Sequence, residues 1–389
     1  ALMKENINSG PGLDGTYVET AESLDRLMGN LRGVARVGLD TEADSLHHYF
    51  EKVCLIQLSF SGNHYIVDPL AGVSLETFLE ELSRKELILQ GADYDLRMLK
   101  KTFGFRAKAG VFDTMLAAQV LGDEKIGLGA LVEKYCGIVL TQTGQKSDWS
   151  KRPLSLGQLR YAADDTRYLE TIADAQAAGL RDLGRTDWHR ECCERAVETA
   201  CLPPKNEGEE AWRIKGASKM APRQLVFLRE IWKWRDDAAR QRDRPPFMIL
   251  KNEDLIELAG WRAENPKVPL REGPVFLKRI TGESFARLES AIRKAEELPP
   301  ADWPGIPPKI RAHGPGPSQE KVEALFVACK AIAAELKIDP YFLASRATVT
   351  ALVRHRPRSV EEAMEASGMM RWQAALVMPG IKAVLHGNA

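Results

Sequence analysis

The sequence has 389 residues, 44% hydrophobic and 28% charged, which is typical of a globular protein and longer than one ordinary domain. This composition excludes a collagen-like, coiled-coil or wholly disordered chain, and no apolar run reaches the roughly 20 residues that a membrane helix needs. Basic and acidic residues balance at 54 each, but residues 1–195 carry a net charge of −6 and residues 196–389 one of +6.

The charge asymmetry and the cysteines bear on partners and location. An acidic half joined to a basic half suits a chain that gathers carboxylates in one place and meets phosphates in another, although ordinary surface variation gives the same pattern. The N-terminal residues lack the apolar segment of an export signal, which predicts a cytoplasmic protein. The cysteines lack paired metal-ligand spacing and are expected to be reduced thiols: Cys54, Cys136, Cys192, Cys193, Cys201 and Cys329.

Residues 1–195 alternate strand-like and helical stretches. Short apolar or alternating runs predict strands at 34–40, 53–60, 64–68 and 87–89. The turn residues at 61–63 predict that the second and third of these strands form a hairpin. Apolar residues at helical spacing predict helices at 21–31, 74–84, 94–103, 113–121, 128–136 and 155–178. Strands followed by helices indicate an α/β layered fold with a mixed sheet.

After residue 195 the strand signal fades and the chain becomes helical. Apolar residues at helical spacing indicate one small helical unit, and a stretch rich in proline and glycine separates it from a second unit of similar length. The predicted organisation is an α/β domain at 1–195, a linker at 196–217, a helical domain at 218–296, a connector at 297–317 and a second helical domain at 318–389.

Five polar residues in this α/β region suggest chemistry. Asp40 and Glu42 end the first predicted strand and share one face, where two acids repel each other unless a cation or a surface turn accommodates them. Asp95 falls at the start of a helix, a position that also suits a simple capping role. Tyr161 and Asp165 lie four residues apart on one helical face. Each signal is weak when it is taken alone.

Taken in order, these residues resemble the three motifs of the DEDD superfamily of 3′→5′ exonucleases, tyrosine subclass. The segments 37–42, 53–58, 147–154 and 158–165 are similar to ribonuclease D, and residues 218–296 resemble an HRDC domain. Residues 318–389 stand where that family carries a second, more divergent HRDC domain. The resemblance implies a ribonuclease H-like α/β nuclease domain, a mixed β-sheet flanked by helices, followed by two all-α HRDC-type domains.

The resemblance also implies roles for the five residues. Asp40, Glu42 and Asp165 would hold one divalent ion, and Asp40 would bridge to a second that Asp95 supports directly or through water. Oxygen ligands suit Mg²⁺ or Mn²⁺, and two such ions are expected. A phenol with a pKa near 10 is a poor base at neutral pH, so Tyr161 is expected to orient the attacking water.

Three features leave the assignment open. Asp93 competes with Asp95, and Asp164 competes with Asp165; the register of the motifs favours Asp95 and Asp165. The family commonly has His or Asn just before the second-motif acid, whereas this chain has Gln90, which does not titrate near neutral pH.

Some residues near the motifs and in the first HRDC-type domain are candidates for contact with nucleic acid. Trp149 with its basic neighbours offers an aromatic face and positive charge to a single strand, and the alternative is a buried tryptophan with a solvated basic rim. The basic run of Arg240, Arg242, Arg244 and Lys251 within residues 218–296 suits phosphate contacts or a plain solvated face. The candidates are Thr41, His47, Lys146, Trp149, Arg152, Arg240 and Arg242.

The sequence therefore predicts a metal-dependent 3′→5′ exoribonuclease that releases nucleoside 5′-monophosphates. By resemblance, its partner would be RNA with a free 3′ end, tRNA precursors above all. No membrane association is expected, and the protein is expected to be a monomer. Two alternatives remain: a DNA-directed exonuclease of the same fold, and a non-catalytic RNA-binding protein.

Overall fold

The computed structural model describes residues 15–140, 144–203, 208–305 and 316–387. They divide into two compact units. The first unit comprises the described parts of 1–43, 53–202 and 312–389, and the second comprises those of 44–52 and 203–311. Residues 306–315 of the predicted connector and residues 204–207 of the predicted linker lie outside the described part of the chain.

A six-stranded mixed sheet forms the centre of the first unit. Its strands are β1 (Gly15–Val18), β2 (Arg36–Ala43), β3 (Val53–Phe60), β4 (Asn63–Val67), β5 (Glu86–Leu89) and β6 (Val111–Asp113). The order across the sheet is β1-β4-β3-β2-β5-β6. β3 runs antiparallel to both β2 and β4, while the pairs β1–β4, β2–β5 and β5–β6 are parallel. The predicted hairpin and the mixed sheet are confirmed.

Eight helices of the first unit surround the sheet or extend from it. They are α1 (Ala21–Arg32), α2 (Glu76–Ser83), α3 (Asp93–Phe103), α4 (Thr114–Leu121), α5 (Leu128–Cys136), α6 (Leu156–Arg167), α7 (Leu169–Asp182) and α8 (Thr186–Ala200). The predicted helix at 155–178 is two helices, because the chain turns at Tyr168 between α6 and α7. Strands β1 and β6 and helix α8 were not predicted; both strands are only three or four residues long.

The second unit is built mainly from helices. They are α9 (Pro222–Gln241), α10 (Pro246–Ile249), α11 (Asn252–Glu264) and α12 (Gly282–Glu297). Proline at the first position of α9 fits there because that N–H needs no helical partner. Helices α11 and α12 both pack on α9, around a core that includes Phe227, Leu258 and Phe285.

Five further helices complete the first unit: α13 (Gln319–Leu336), α14 (Pro340–Leu343), α15 (Arg346–His355), α16 (Val360–Ser367) and α17 (Arg371–Ile381). They share one apolar core with residues of α4, α7 and α8. Trp188 of α8 stacks on Trp372 of α17, with ring centroids 4.8 Å apart. The C-terminal helices are thus packed onto the α/β part of the chain by a continuous core.

The sequence predicts reduced cysteines and no membrane-spanning helix, and the structure bears on both predictions. No two of the six cysteines, all of which lie in the described residues, are joined by a disulfide. Burial raises the pKa of the Cys192 thiol to about 12 and also raises that of the adjacent Cys193, so neither thiol is activated. Among the helices of the described residues, none is long and apolar enough to span a membrane.

Candidate active site

Asp40 and Glu42 lie near the end of β2, at the centre of the sheet. In the antiparallel register Asp40 lies opposite Gln57, and because side chains alternate along a strand, Asp40 and Glu42 point to the same face. Helix α6 packs on this part of the sheet. Gly38 permits the close approach, since a Cβ there would lie 3.3 Å from the carbonyl oxygen of Thr166.

Helix α6 brings the third acid to these two. Ser155 and Gln158 form a capping box that begins the helix, and Asp165 follows two turns later on the face toward the sheet. Carboxylate oxygens of Asp40, Glu42 and Asp165 all lie within 4.8 Å of one another. Three oxygen ligands at this spacing fit a hard divalent cation such as Mg²⁺ or Mn²⁺.

Asp95 lies in the first turn of α3, beside this triplet rather than within it. Its Oδ1 accepts two hydrogen bonds from Thr41, one from the backbone N–H at 3.1 Å and one from the hydroxyl at 2.6 Å. Thr41 is buried, so its side chain holds Asp95 instead of facing solvent. This arrangement ties the second-motif acid directly to the residue between the first two acids.

The rival acids are engaged elsewhere. Asp93 is exposed and pairs with Arg97 one turn later, at 2.8 Å. Asp164 pairs with Arg167 at 3.5 Å and is not part of the triplet. The structure therefore brings together Asp40, Glu42 and Asp165 with Asp95 adjacent, and leaves both rivals outside.

Burial raises the pKa of all four carboxyl groups, and neighbouring carboxylates raise it further. The pKa of Asp40 lies well above its usual range, that of Glu42 is raised to about 9, and those of Asp95 and Asp165 to about 7. Hydrogen bonds from Thr41 to Asp95 and from Tyr161 to Asp165 act in the opposite direction. Such a cluster keeps protons at neutral pH unless a cation replaces them.

These pKa shifts predict that Mn²⁺ stabilises the protein more at pH 8 than at pH 6. A carboxyl group whose pKa is raised in the folded state destabilises the metal-free protein as the pH rises from about 4 toward that raised pKa. At pH 6 the carboxyl groups still hold protons, which the cation must displace before it can bind. At pH 8 fewer protons compete with the cation. With free Mn²⁺ at 100 times its Kd, the stabilisation is about 2.7 kcal/mol. Melting temperatures with and without Mn²⁺ at both pH values measure this difference.

The Asp165→Asn variant is the control for that measurement. It removes one oxygen ligand from the triplet, so its melting temperature should respond weakly to Mn²⁺ at either pH. An equal Mn²⁺ effect at pH 6 and pH 8 in the unmodified chain would contradict the proton-displacement argument.

Tyr161 lies one helical turn before Asp165 and donates its hydroxyl to that carboxylate. Burial and the adjacent acids raise the pKa of its phenol above the usual value, so the hydroxyl stays protonated. The ring is packed closely: its centroid lies 6.0 Å from that of Trp149, and a Cβ on Gly144 would lie 2.8 Å from its Cγ. The hydroxyl is therefore held in place and able to donate or accept, but not to act as a base.

Asp113 is a functional neighbour that sequence reasoning missed. This buried carboxylate accepts backbone hydrogen bonds from Gly91 and Ala92, which precede α3, and from Met115 and Leu116, which begin α4. One acid thus fixes the start of the helix that carries Asp95. An aspartate just before an apolar helical run is an N-cap signal, but nothing in the sequence shows that it also holds a second helix.

Gln90 performs a structural task in the same region. Its Nε2 donates to the carbonyl oxygen of Ile126 at 2.8 Å, and its Oε1 accepts from the Thr114 hydroxyl at 2.5 Å. Both ends of the amide are engaged, so the side chain joins the end of β5 to α4 and to the segment before α5.

Three candidates for nucleic-acid contact are engaged within the protein, which corrects the expectation for Thr41, Trp149 and Arg152. Trp149 is only 1% exposed, so neither face of its ring is open to a base. Arg152 makes two hydrogen bonds to Asp68 and donates to the carbonyl oxygens of Trp149, Lys151 and Cys54. The structure therefore agrees with the second interpretation of this segment, a buried tryptophan with a basic rim. Lys146, nearby in the sequence, is exposed.

The remaining candidates lie in the second unit. His47 is partly buried, and its backbone N–H donates to the Asp44 carbonyl at 2.8 Å. Arg240 lies over the Tyr49 ring and pairs with Asp236 at 3.6 Å. Arg242 lines a groove of about 450 Å³ between α9 and α12. Arg240 is therefore partly committed to contacts within the unit, whereas Arg242 faces an open groove.

Family models match most of the described architecture. Residues 16–176 match the 3′-5′ exonuclease family, and residues 224–267 and 318–384 match the HRDC domain. The second match confirms the assignment of both helical regions, including the one that sequence reasoning placed by position alone.

Curated relatives and solved structures agree with those matches. Ribonuclease D of Gluconacetobacter diazotrophicus is 30% identical over 85% of this chain and 84% of its own, and that of Xanthomonas oryzae pv. oryzae is 31% identical over 68% and 74%. A protein from Bifidobacterium adolescentis has the same fold (TM-score 0.79, 23% identity, 96% and 97% coverage). So does Escherichia coli RNase D, described as an exoribonuclease involved in structured RNA processing (TM-score 0.70, 22% identity, 95% and 98% coverage). The chain belongs to the ribonuclease D family and is a hydrolase, a 3′→5′ exoribonuclease.

Proposed function

We propose that the chain removes nucleotides one at a time from the 3′ end of structured RNAs, tRNA precursors above all, and releases nucleoside 5′-monophosphates. The observation that carries the catalytic part is the carboxylate triplet of Asp40, Glu42 and Asp165, whose oxygens lie within 4.8 Å of one another. The substrate class rests on the ribonuclease D relatives and on the E. coli enzyme's description as one involved in structured RNA processing.

The acids would hold two divalent cations, Mg²⁺ or Mn²⁺. Asp40, Glu42 and Asp165 would bind one, and Asp40 with the adjacent Asp95 would support the other. When bound, the cations supply positive charge that offsets the anionic phosphodiester, lowers the pKa of the attacking water and stabilises the leaving 3′ oxygen. Thr41 would keep the Asp95 carboxylate in position through its two hydrogen bonds.

Tyr161 would orient the attacking water. Its hydroxyl is anchored on Asp165, and its raised phenol pKa keeps the proton in place, so it contributes a fixed hydrogen-bonding group. A fixed hydroxyl raises the reaction rate by holding the attacking water in the correct geometry. Misplacing that water by about 1 Å can lower the rate roughly 10²-fold.

The close packing of Gly144 on the Tyr161 ring gives a prediction. A Cβ at position 144 would lie 2.8 Å from Cγ of Tyr161, so the ring or the backbone must move. We expect Gly144→Ala to lower kcat roughly 10- to 10²-fold, toward the value for Tyr161→Phe, with the KM for RNA little changed. Gly29→Ala, whose added Cβ meets no atom within 4 Å, should keep the original kcat. An unchanged kcat in Gly144→Ala would show that the ring position does not matter.

The proposed function is tested with 5′-labelled RNAs. A tRNA carrying a 3′ extension, an unstructured RNA and the DNA counterpart of that RNA are incubated with Mg²⁺, with Mn²⁺ or with a chelator, and released products are separated by chromatography. We expect metal-dependent shortening from the 3′ end, nucleoside 5′-monophosphates as products, and faster trimming of the tRNA.

Three outcomes would count against parts of this proposal. Equal cleavage of the DNA would favour the alternative of a DNA-directed exonuclease, because a site that uses the 2′-OH separates the two polymers. Equal rates on the tRNA and the unstructured RNA would remove the preference for structured substrates. Binding without cleavage under every metal condition would favour the non-catalytic alternative.

RNA contact by the second unit is part of the same proposal. We infer that Arg240, Arg242 and the segment around His47 contact RNA phosphates in the second unit, and that the exposed Lys146 does so in the first unit. The positive charges of Arg240, Arg242 and Lys146 suit a partner whose backbone is anionic, and such contacts position the substrate without reading its sequence.

A further inference from the structure

Gln57, in the middle of β3, has a side chain that the fold leaves unexplained. It is fully buried, and within the described residues neither its Oε1 nor its Nε2 has a hydrogen-bond partner. Leaving a buried polar group without a partner costs about 1–3 kcal/mol, and most buried amides are bonded. A buried amide without a partner in the metal-free protein indicates that it forms its hydrogen bond in a different state of the protein.

The sheet register shows where such a partner lies. β3 runs between β2 and β4, and Gln57 is opposite Asp40 on one side and Ile66 on the other. Directly opposed residues point to the same face with Cβ atoms about 4.5–5.5 Å apart, within reach of a glutamine side chain. Gln57 therefore has a carboxylate on one flank and an aliphatic side chain on the other.

The polar neighbour on this face along the same strand is already engaged. Ser59, two residues along β3, is already bonded through its hydroxyl to Thr166 at 2.7 Å and to His64 at 2.8 Å. Around this part of the sheet, Ala162 and Ala163 of α6 form an apolar cluster with Ile66. The acid cluster is the polar region next to the amide.

We propose that Gln57 is a positioning residue for the acid cluster, whose amide N–H donates to the Asp40 carboxylate when Asp40 holds the divalent cation. A carboxylate offers about four lone-pair sites, so one that binds a cation still accepts hydrogen bonds. Partners of this kind fix the orientation of a metal ligand, and their loss typically weakens metal affinity 10- to 100-fold. This inference rests on the proposed metal-dependent function.

The test uses Gln57→Leu, which keeps a similar volume and removes the amide. We expect the metal-free melting temperature to stay the same or rise, because an unsatisfied buried group is gone. Calorimetric titration should show Mn²⁺ affinity reduced about 10- to 100-fold. At saturating metal, kcat should fall while the KM for RNA stays within about twofold, as expected of an interaction that matters at the reacting centre.

Gln176→Leu is the matched control. Gln176 is also fully buried, but its Nε2 donates to the Thr114 carbonyl at 2.9 Å. Its replacement should lower the melting temperature and leave Mn²⁺ affinity unchanged. Should Gln57→Leu fail to fold, Gln57→Met supplies the same comparison with a more adaptable side chain.

Metal affinity decides the outcome. Mn²⁺ affinity in Gln57→Leu equal to that of the unmodified chain would overturn the inference, whatever happens to stability. An unmodified chain that fails to bind Mn²⁺ or to digest RNA would instead refute the proposed function, so the two failures are distinguishable.

Discussion

Asp40→Asn is expected to abolish metal-dependent digestion of RNA, with a loss of at least roughly 10³-fold in kcat. Asp40 belongs to the carboxylate triplet and would supply negative charge to the bound cation. The substitution keeps the volume but replaces one carboxylate oxygen with an NH2 group that cannot bind a cation, and it removes the negative charge. In the absence of metal it should also raise the melting temperature at pH 8, because burial and three neighbouring acids disfavour the ionised Asp40.

Asp164→Asn is the matched control for this loss. Asp164 also lies on α6, next to Asp165, but it pairs with Arg167 and lies outside the triplet. We expect the activity of this variant to stay within about threefold of the original, because a partly exposed ion pair contributes little to the stability of the fold. Substantial activity in Asp40→Asn, or an equal loss in both variants, would contradict the assignment of the triplet. A filter-binding assay with the unstructured RNA checks that Asp40→Asn still binds substrate.

Much of the fold was predictable because its signals are local. The alternating run at 53–60, the turn at 61–63 and the strand after it define a hairpin, and the structure contains that hairpin at residues 53–67. Strands β1 and β6 were missed because they are three or four residues long and lack the continuous apolar run that marks the equally short β5. The break at Tyr168 was missed for a different reason: apolar positions continue through it, although α6 packs mainly on β3 and β4 and α7 mainly on α4 and α5.

The acids of the candidate site were predicted from their order along the chain and their resemblance to the DEDD motifs, whereas their supports depend on tertiary contacts. The bonds from Thr41 to Asp95 join residues 54 positions apart, and no local pattern predicts them. Trp149 and Arg152 were misplaced as RNA contacts because a basic aromatic segment resembles a binding surface. Only the fold shows that the guanidinium of Arg152 is committed to Asp68 and to backbone carbonyls.

Asp113→Ala is expected to be strongly destabilising. The Asp113 carboxylate accepts four backbone hydrogen bonds at 2.7–3.2 Å, which cap the starts of α3 and α4 together. Alanine leaves these buried N–H groups unpaired, and loss of a single cap usually costs about 0.5–2 kcal/mol. We therefore expect a loss of about 3 kcal/mol or more, measured by urea denaturation. Because Asp95 lies on α3, kcat should fall as well.

Asp113→Asn separates the capping role from the charge. Its retained Oδ1 can still accept from Gly91, Met115 and Leu116, as the aspartate oxygen does at 2.8–3.2 Å. The new amide would face the Ala92 N–H, which donates to Oδ2 at 2.7 Å, so one hydrogen bond becomes a donor–donor contact. We expect a loss of about 1–2 kcal/mol, between the original and Asp113→Ala. Equal stability of all three proteins would show that the two helix starts are held by packing rather than by this carboxylate.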